Sequence, residues 1–114
     1  MQIPQPTDAD RERFRSLVPD DLRVEVKPMF GNLGAFVNGN MFMGLFGSDI
    51  GVKLPPAHAD QLRMQPGAGP FGPAEGSMGG YVSLPAAMIE AGEGDRWVAS
   101  ALEFVGAEPP KRKK

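Results

Sequence analysis

Cysteine is absent from this 114-residue chain. That removes disulfides, thiolate metal ligands and a cysteine nucleophile together. Histidine occurs once, at His58, whereas a zinc or iron site needs several His, Cys or carboxylate ligands converging on one point. No stretch approaches the roughly eighteen consecutive apolar residues of a membrane-spanning helix. The opening Met1-Gln2-Ile3-Pro4-Gln5-Pro6 lacks the basic start and apolar centre of a secretory signal. The expectation is a cytoplasmic protein with no membrane contact, no metal and no cofactor.

Positive charge is scarce outside the C-terminal end. Lys111, Arg112, Lys113 and Lys114 hold four of the twelve basic side chains, leaving eight against fourteen acidic ones, a net of −6 for the body. A body that acidic repels a phosphate backbone and offers no broad footprint for nucleic acid. The tail supports weak nucleic-acid contact through charge alone, or serves as a solubilising end after Pro109-Pro110. The length fits one domain. It spans residues 1–114, with an N-terminal extension over 1–6 and the basic tail over 107–114.

Hydrophobic residues make up 41% of the chain, enough for one modest core. Thr7 is placed to cap a helix, with Asp10 three residues on as a capping-box acid. Phe14, Leu17 and Val18 follow at helical spacing before Pro19. Val24 and Val26 alternate with Arg23, Glu25 and Lys27 as in a strand with one wet face, and Pro28 stops it or marks it as an edge.

The stretch from Pro28 to Gly47, PMFGNLGAFVNGNMFMGLFG, poses the main choice: a phosphate-gripping glycine loop or a hairpin. A Walker loop needs Lys-Ser/Thr after its second glycine, where this chain has Ala35-Phe36. A dinucleotide fingerprint needs its glycines between a strand and a helix, and these lie between strands. Asn38-Gly39 is instead the pair suited to a type I′ turn, flanked by Ala35-Phe36-Val37 and Met41-Phe42-Met43. The hairpin reading follows.

Ile50 to Leu54 alternates as a further strand, completing an antiparallel meander. Pro55 suits a helix start, with a short helix over Ala57 to Met64. From Pro66 to Gly80 six glycines and three prolines imply a loop. Tyr81-Val82-Ser83-Leu84 reads as a last strand closed by Pro85. Val98, Ala101, Leu102 and Val105 then mark a helix beginning near Asp95, its apolar face widened by Trp97 and Phe104. The order α-β-β-β-β-α-β-α gives an α+β, two-layer fold, an antiparallel sheet of four to five strands with helices on one face.

Catalytic chemistry is thin. A Ser-His-Asp mechanism would have to use His58 with one of five serines, none in a G-x-S-x-G setting. Asp20, Asp21, Glu90, Glu93 and Asp95 read as turn and cap residues. Methionine is plentiful, at seven, and flexible thioethers suit adaptable binding surfaces as well as cores. Met41 and Met43 share one strand parity, so Phe36, Met41 and Met43 form the candidate interaction surface.

The segment KPMFGNLGAFVNGNMFMGLFGSDIGVKL resembles the N-terminal domain of the TfoX/Sxy family, bacterial proteins named for regulators of natural competence. The likeness rests on Met29-Phe30-Gly31, Gly34, Phe36-Val37-Asn38-Gly39 and Met41-Phe42. It continues through Phe71, Met78, Gly79, Tyr81-Val82-x-Leu84-Pro85, Trp97 and Pro109-Pro110-Lys111. The resemblance implies a stand-alone N-terminal domain, a two-layer α+β fold and a non-enzymatic regulatory role. Full-length members act with a cyclic-AMP receptor-type activator at competence promoters and carry a C-terminal domain.

Three functions are therefore set against one another. The first is an interaction module with a transcription-factor type partner. The second is a weak nucleic-acid binder using Lys111, Arg112, Lys113 and Lys114. The third is a small enzyme with His58, or an acid near the glycine-rich loop, as its catalytic group. An exposed edge strand also allows a homodimer.

Overall fold

A computed structural model of the protein describes residues 4–72 and 79–109. Its elements are α1 (Asp8–Leu17), β1 (Val24–Met29), β2 (Asn32–Val37), β3 (Asn40–Phe46), β4 (Asp49–Lys53) and α2 (Pro56–Arg63). They continue with β5 (Gly69–Pro70), β6 (Tyr81–Ser83), α3 (Ala86–Glu90) and α4 (Asp95–Gly106). Thr7 caps α1 as its sequence suggests. The Asp10 amide donates to Thr7 Oγ1 at 3.1 Å, and the Thr7 amide donates back to Asp10 Oδ2 at 2.8 Å.

The meander is shaped by its turns. Asn38 and Gly39, with φ of 54° and 79°, make the expected two-residue turn between β2 and β3. Phe30 and Gly31 do the same between β1 and β2, with φ of 51° and 83°. The six strands are antiparallel neighbours in the order β1-β2-β3-β4-β6-β5. β1 is an edge strand, which is why Pro28 can sit inside it.

The helices cover one face. Phe14 of α1, Ala59 and Leu62 of α2, and Trp97, Val98, Ala101, Leu102 and Val105 of α4 share a core with the sheet residues Ala35, Val37, Met43, Leu45, Ile50, Val52 and Val82. Burying each large member of that core contributes ~1.5–3 kcal/mol relative to leaving it in water.

The two-layer α+β reading holds, with two additions. Pro66–Gly80 is not loop throughout: Gly69 and Pro70 pair with β6, where a two-residue edge strand tolerates proline. A short helix, α3, follows Pro85 and is too brief to show periodicity in sequence. Residues 4–6 of the N-terminal extension pack on the sheet end, with Pro6 buried and the Pro4 carbonyl accepting from Asn32 Nδ2 at 3.0 Å. Met78 and the tail Lys111, Arg112, Lys113 and Lys114 lie outside the described residues. Among the described residues no helix is long and apolar enough to cross a membrane.

Candidate interaction surface

Residues opposite each other in an antiparallel ladder share a face. On the face turned away from the helices, Lys27, Gly34, Gly44, Gly51, Ser83 and Gly69 are successive partners, one from each strand. The glycines leave a trough in the middle of the sheet, and apolar side chains lie in it. A Cβ on Gly34 would come 3.0 Å from Met29 Sδ, Met41 Sδ and the Phe36 ring. A Cβ on Gly51 would overlap the Phe71 ring, and one on Gly44 would come 3.3 Å from it. These mid-strand glycines thus permit close approach of side chains, while the turns of the meander fall to Gly31, Gly39 and Gly47.

Phe71 is buried, at 3% exposure, and anchors the patch. Its ring meets Phe46 edge-on at 6.3 Å and Tyr81 at 6.0 Å. Met29, Phe36, Met41, Phe46 and Tyr81 around it are half-buried. Tyr81 donates through its hydroxyl to the Met41 carbonyl at 2.8 Å. Burial, with the Glu108 charge adding to it, pushes the Tyr81 phenol up to about 12. Lys27 Nζ stands 5.2 Å from the Phe36 ring centroid, a cation–π contact.

Of the residues singled out in the sequence, Phe36 and Met41 lie together on this face. Met43 does not. The β2–β3 register pairs Ala35 with Met43 but Phe36 with Met41, so Phe42 is an extra residue in β3. That bulge reverses the alternation. Met43 is fully buried in the helix-side core, while Met41 faces away from it. The shared parity of the two methionines, read from a regular strand, is therefore corrected.

Sequence reading missed Phe71, Phe46 and Tyr81 as members of the patch. The available signal was the glycine repeated at Gly34, Gly44 and Gly51, which asks for large neighbours to fill the space.

Near one end of the patch, Asn40 Nδ2 donates to the Pro109 carbonyl at 3.0 Å and Lys53 pairs with Glu108 at 3.9 Å. Glu108 and Pro109 are thereby held against β4 and β3, and in sequence the basic run begins two residues after Pro109.

His58 lies exposed on α2, with Nδ1 2.7 Å from Ser100 Oγ on α4. Asp60, two residues on, is paired with Arg63 at 3.1 Å. Asp21 is clasped by Arg23, whose side chain holds its carboxyl down to about 2. Among the described residues no group of three or more His, Asp or Glu is placed to hold a metal ion.

The family model described as the TfoX N-terminal domain matches residues 16–105. No curated protein and no solved structure matches the chain.

Proposed function

The chain belongs to the TfoX N-terminal domain family, and from that premise we propose that it is a non-enzymatic regulatory module acting through a protein partner, as a transcription co-regulator does. The family suggests a competence or regulatory type of module and is not known as an enzyme family. The observation that carries the reading is the half-buried methionine–aromatic patch on the helix-free face, built from Met29, Phe36, Met41, Phe46 and Tyr81 over the glycine trough. Thioethers adapt to varied apolar surfaces, and Tyr offers a large contact area with a polar end. A partner segment that combines apolar with acidic residues would match the chemistry of the patch and of the basic run Lys111–Lys114 together.

A cyclic-AMP receptor-type activator is the first partner to test. Titrating it into isotope-labelled protein is expected to shift resonances of Phe36, Met41 and Tyr81. A folded Met41→Lys variant is expected to lose that response. Shifts confined to the helix face, or none at all, would overturn the assignment.

A further inference from the structure

A symmetrical pattern runs along the edge strand β1 and the turns at its two ends. Leu22, Val26 and Phe30 are 106%, 37% and 77% exposed, three of the four large apolar side chains most open to solvent among the described residues. They are evenly spaced, with Val26 at the centre. Glu25 and Lys27 flank Val26 and are paired with each other at 3.6 Å.

The backbone has the same centre. Met29 and Asn32 close a two-residue turn, so the ladder bonds to β2 fall to Met29, Lys27 and Glu25. Val24, Val26 and Pro28 direct their polar groups outward. Two facts agree with this: the Val24 amide donates to the Asp21 carbonyl at 3.0 Å, and Pro28 sits in register with no N–H to give. Val26 is thus the outward residue whose N–H and C=O are both uncommitted.

We propose that β1 pairs antiparallel with β1 of a second copy of this chain, across a two-fold axis through Val26. Val26 exchanges two backbone bonds with Val26 of the second copy. Glu25 comes opposite Lys27 on both sides of the axis, and the turns that carry Leu22 and Phe30 approach each other at both ends.

The register is selective. An axis at Glu25 sets two carboxylates face to face, and an axis at Lys27 sets two ammonium groups face to face while aiming Val26 at Pro28. Like charges directly opposite are destabilising. Pro28 and the spent Val24 amide keep the ladder short, which blunts the edge toward arbitrary strands and makes the dimer reversible. Phe30 supports the same conclusion. A bulky exposed residue at φ of 51° is strained, and in the dimer its ring gains a neighbour. The pairing joins two sheets into one and sets the Lys27, Phe36 and Met41 sides of both copies close to the axis. It does not depend on the protein-partner reading.

Sedimentation velocity over a concentration series, up to millimolar, tests it. The protein is expected to shift from monomer to dimer as concentration rises. Glu25→Lys and Lys27→Glu are each expected to weaken the dimer by roughly tenfold or more, since each creates two like-charge pairs. The double reversal is expected to restore it. Val26→Pro removes the central donor while sparing the ladder to β2, and is expected to abolish pairing, with circular dichroism confirming its fold. A chain that stays monomeric throughout overturns the proposal. So does a dimer that the single reversals leave intact, or one that the double reversal fails to recover.

Discussion

The ring of Phe71 occupies the place where a side chain on Gly51 would begin. The obstructing atoms are ring atoms close to the Phe71 backbone, so they cannot swing aside as the end of a flexible chain would. Gly51→Ala is expected to cost ~1–3 kcal/mol through overpacking. Phe71→Ala is expected to cost ~3–5 kcal/mol through lost burial and the space left behind. The double variant should cost clearly less than the two together, because the added methyl enters the vacated space. Chemical denaturation of the four proteins measures this, and strict additivity would show that the two residues are not one joint.

Met41 and Met43 are expected to separate fold from binding. Met43 is fully buried, so Met43→Ala should cost ~2–5 kcal/mol and Met43→Glu should prevent folding. Met41→Lys should keep a cooperative thermal transition within a few degrees of the parent, yet lose partner binding. Equal destabilisation by the two would place Met41 in the core after all.

That pair also marks where the sequence stops being legible. The turn at Asn38-Gly39, the cap at Thr7 and the apolar face of α4 each depend on chemistry within a few residues, and each can be read directly. The face that a methionine takes depends on a bulge at Phe42, which depends on how β3 meets β2. Nothing local to Met41-Phe42-Met43 announces it. Phe71 is similar: it lies in a segment rich in glycine and proline, and its partner Gly51 is twenty residues away. The glycines were visible, but the ring that fills the space over them was not.

Asn32 is the buried polar residue that ties three segments at one end of the sheet. Its Oδ1 accepts from the Gly47 amide at 2.8 Å and its Nδ2 donates to the Pro4 carbonyl at 3.0 Å. At 3% exposure it has little access to water. Asn32→Leu leaves the Gly47 amide without its acceptor and is expected to cost ~1–3 kcal/mol. Hydrogen exchange should show the Gly47 amide losing protection in this variant. Unchanged protection would mean that the turn holds without Asn32.

Phe30 offers a stabilising change. It adopts φ of 51° beside Gly31 at 83°, the pairing for which Asn-Gly is preferred, and its ring is 77% exposed. Phe30→Asn is expected to stabilise the monomer by ~0.5–1 kcal/mol. The melting temperature, measured at a concentration too low for self-association, should rise by a few degrees. A fall would show that the ring makes contacts in the monomer worth more than the relieved strain.

Tyr81 predicts the alkaline limit of the fold. Its phenol is raised from 10.0 to about 12 in the folded protein, first by burial and then by the Glu108 charge. In the unfolded chain it ionises near its ordinary value. Between these two values the folded state holds a proton that the unfolded state has released, so stability falls as pH rises. The contribution is fully present below pH 10 and is lost progressively toward pH 12. Tyr81→Phe removes the titrating group along with the hydroxyl's bond to the Met41 carbonyl. The variant should be less stable than the parent at neutral pH, and the gap should narrow as pH climbs through that window. Denaturant midpoints at pH steps measure it, with ultraviolet absorbance following ionisation. A gap that stayed constant across the window would mean that Tyr81 ionises alike in both states, and that the phenol is open to solvent rather than half-buried.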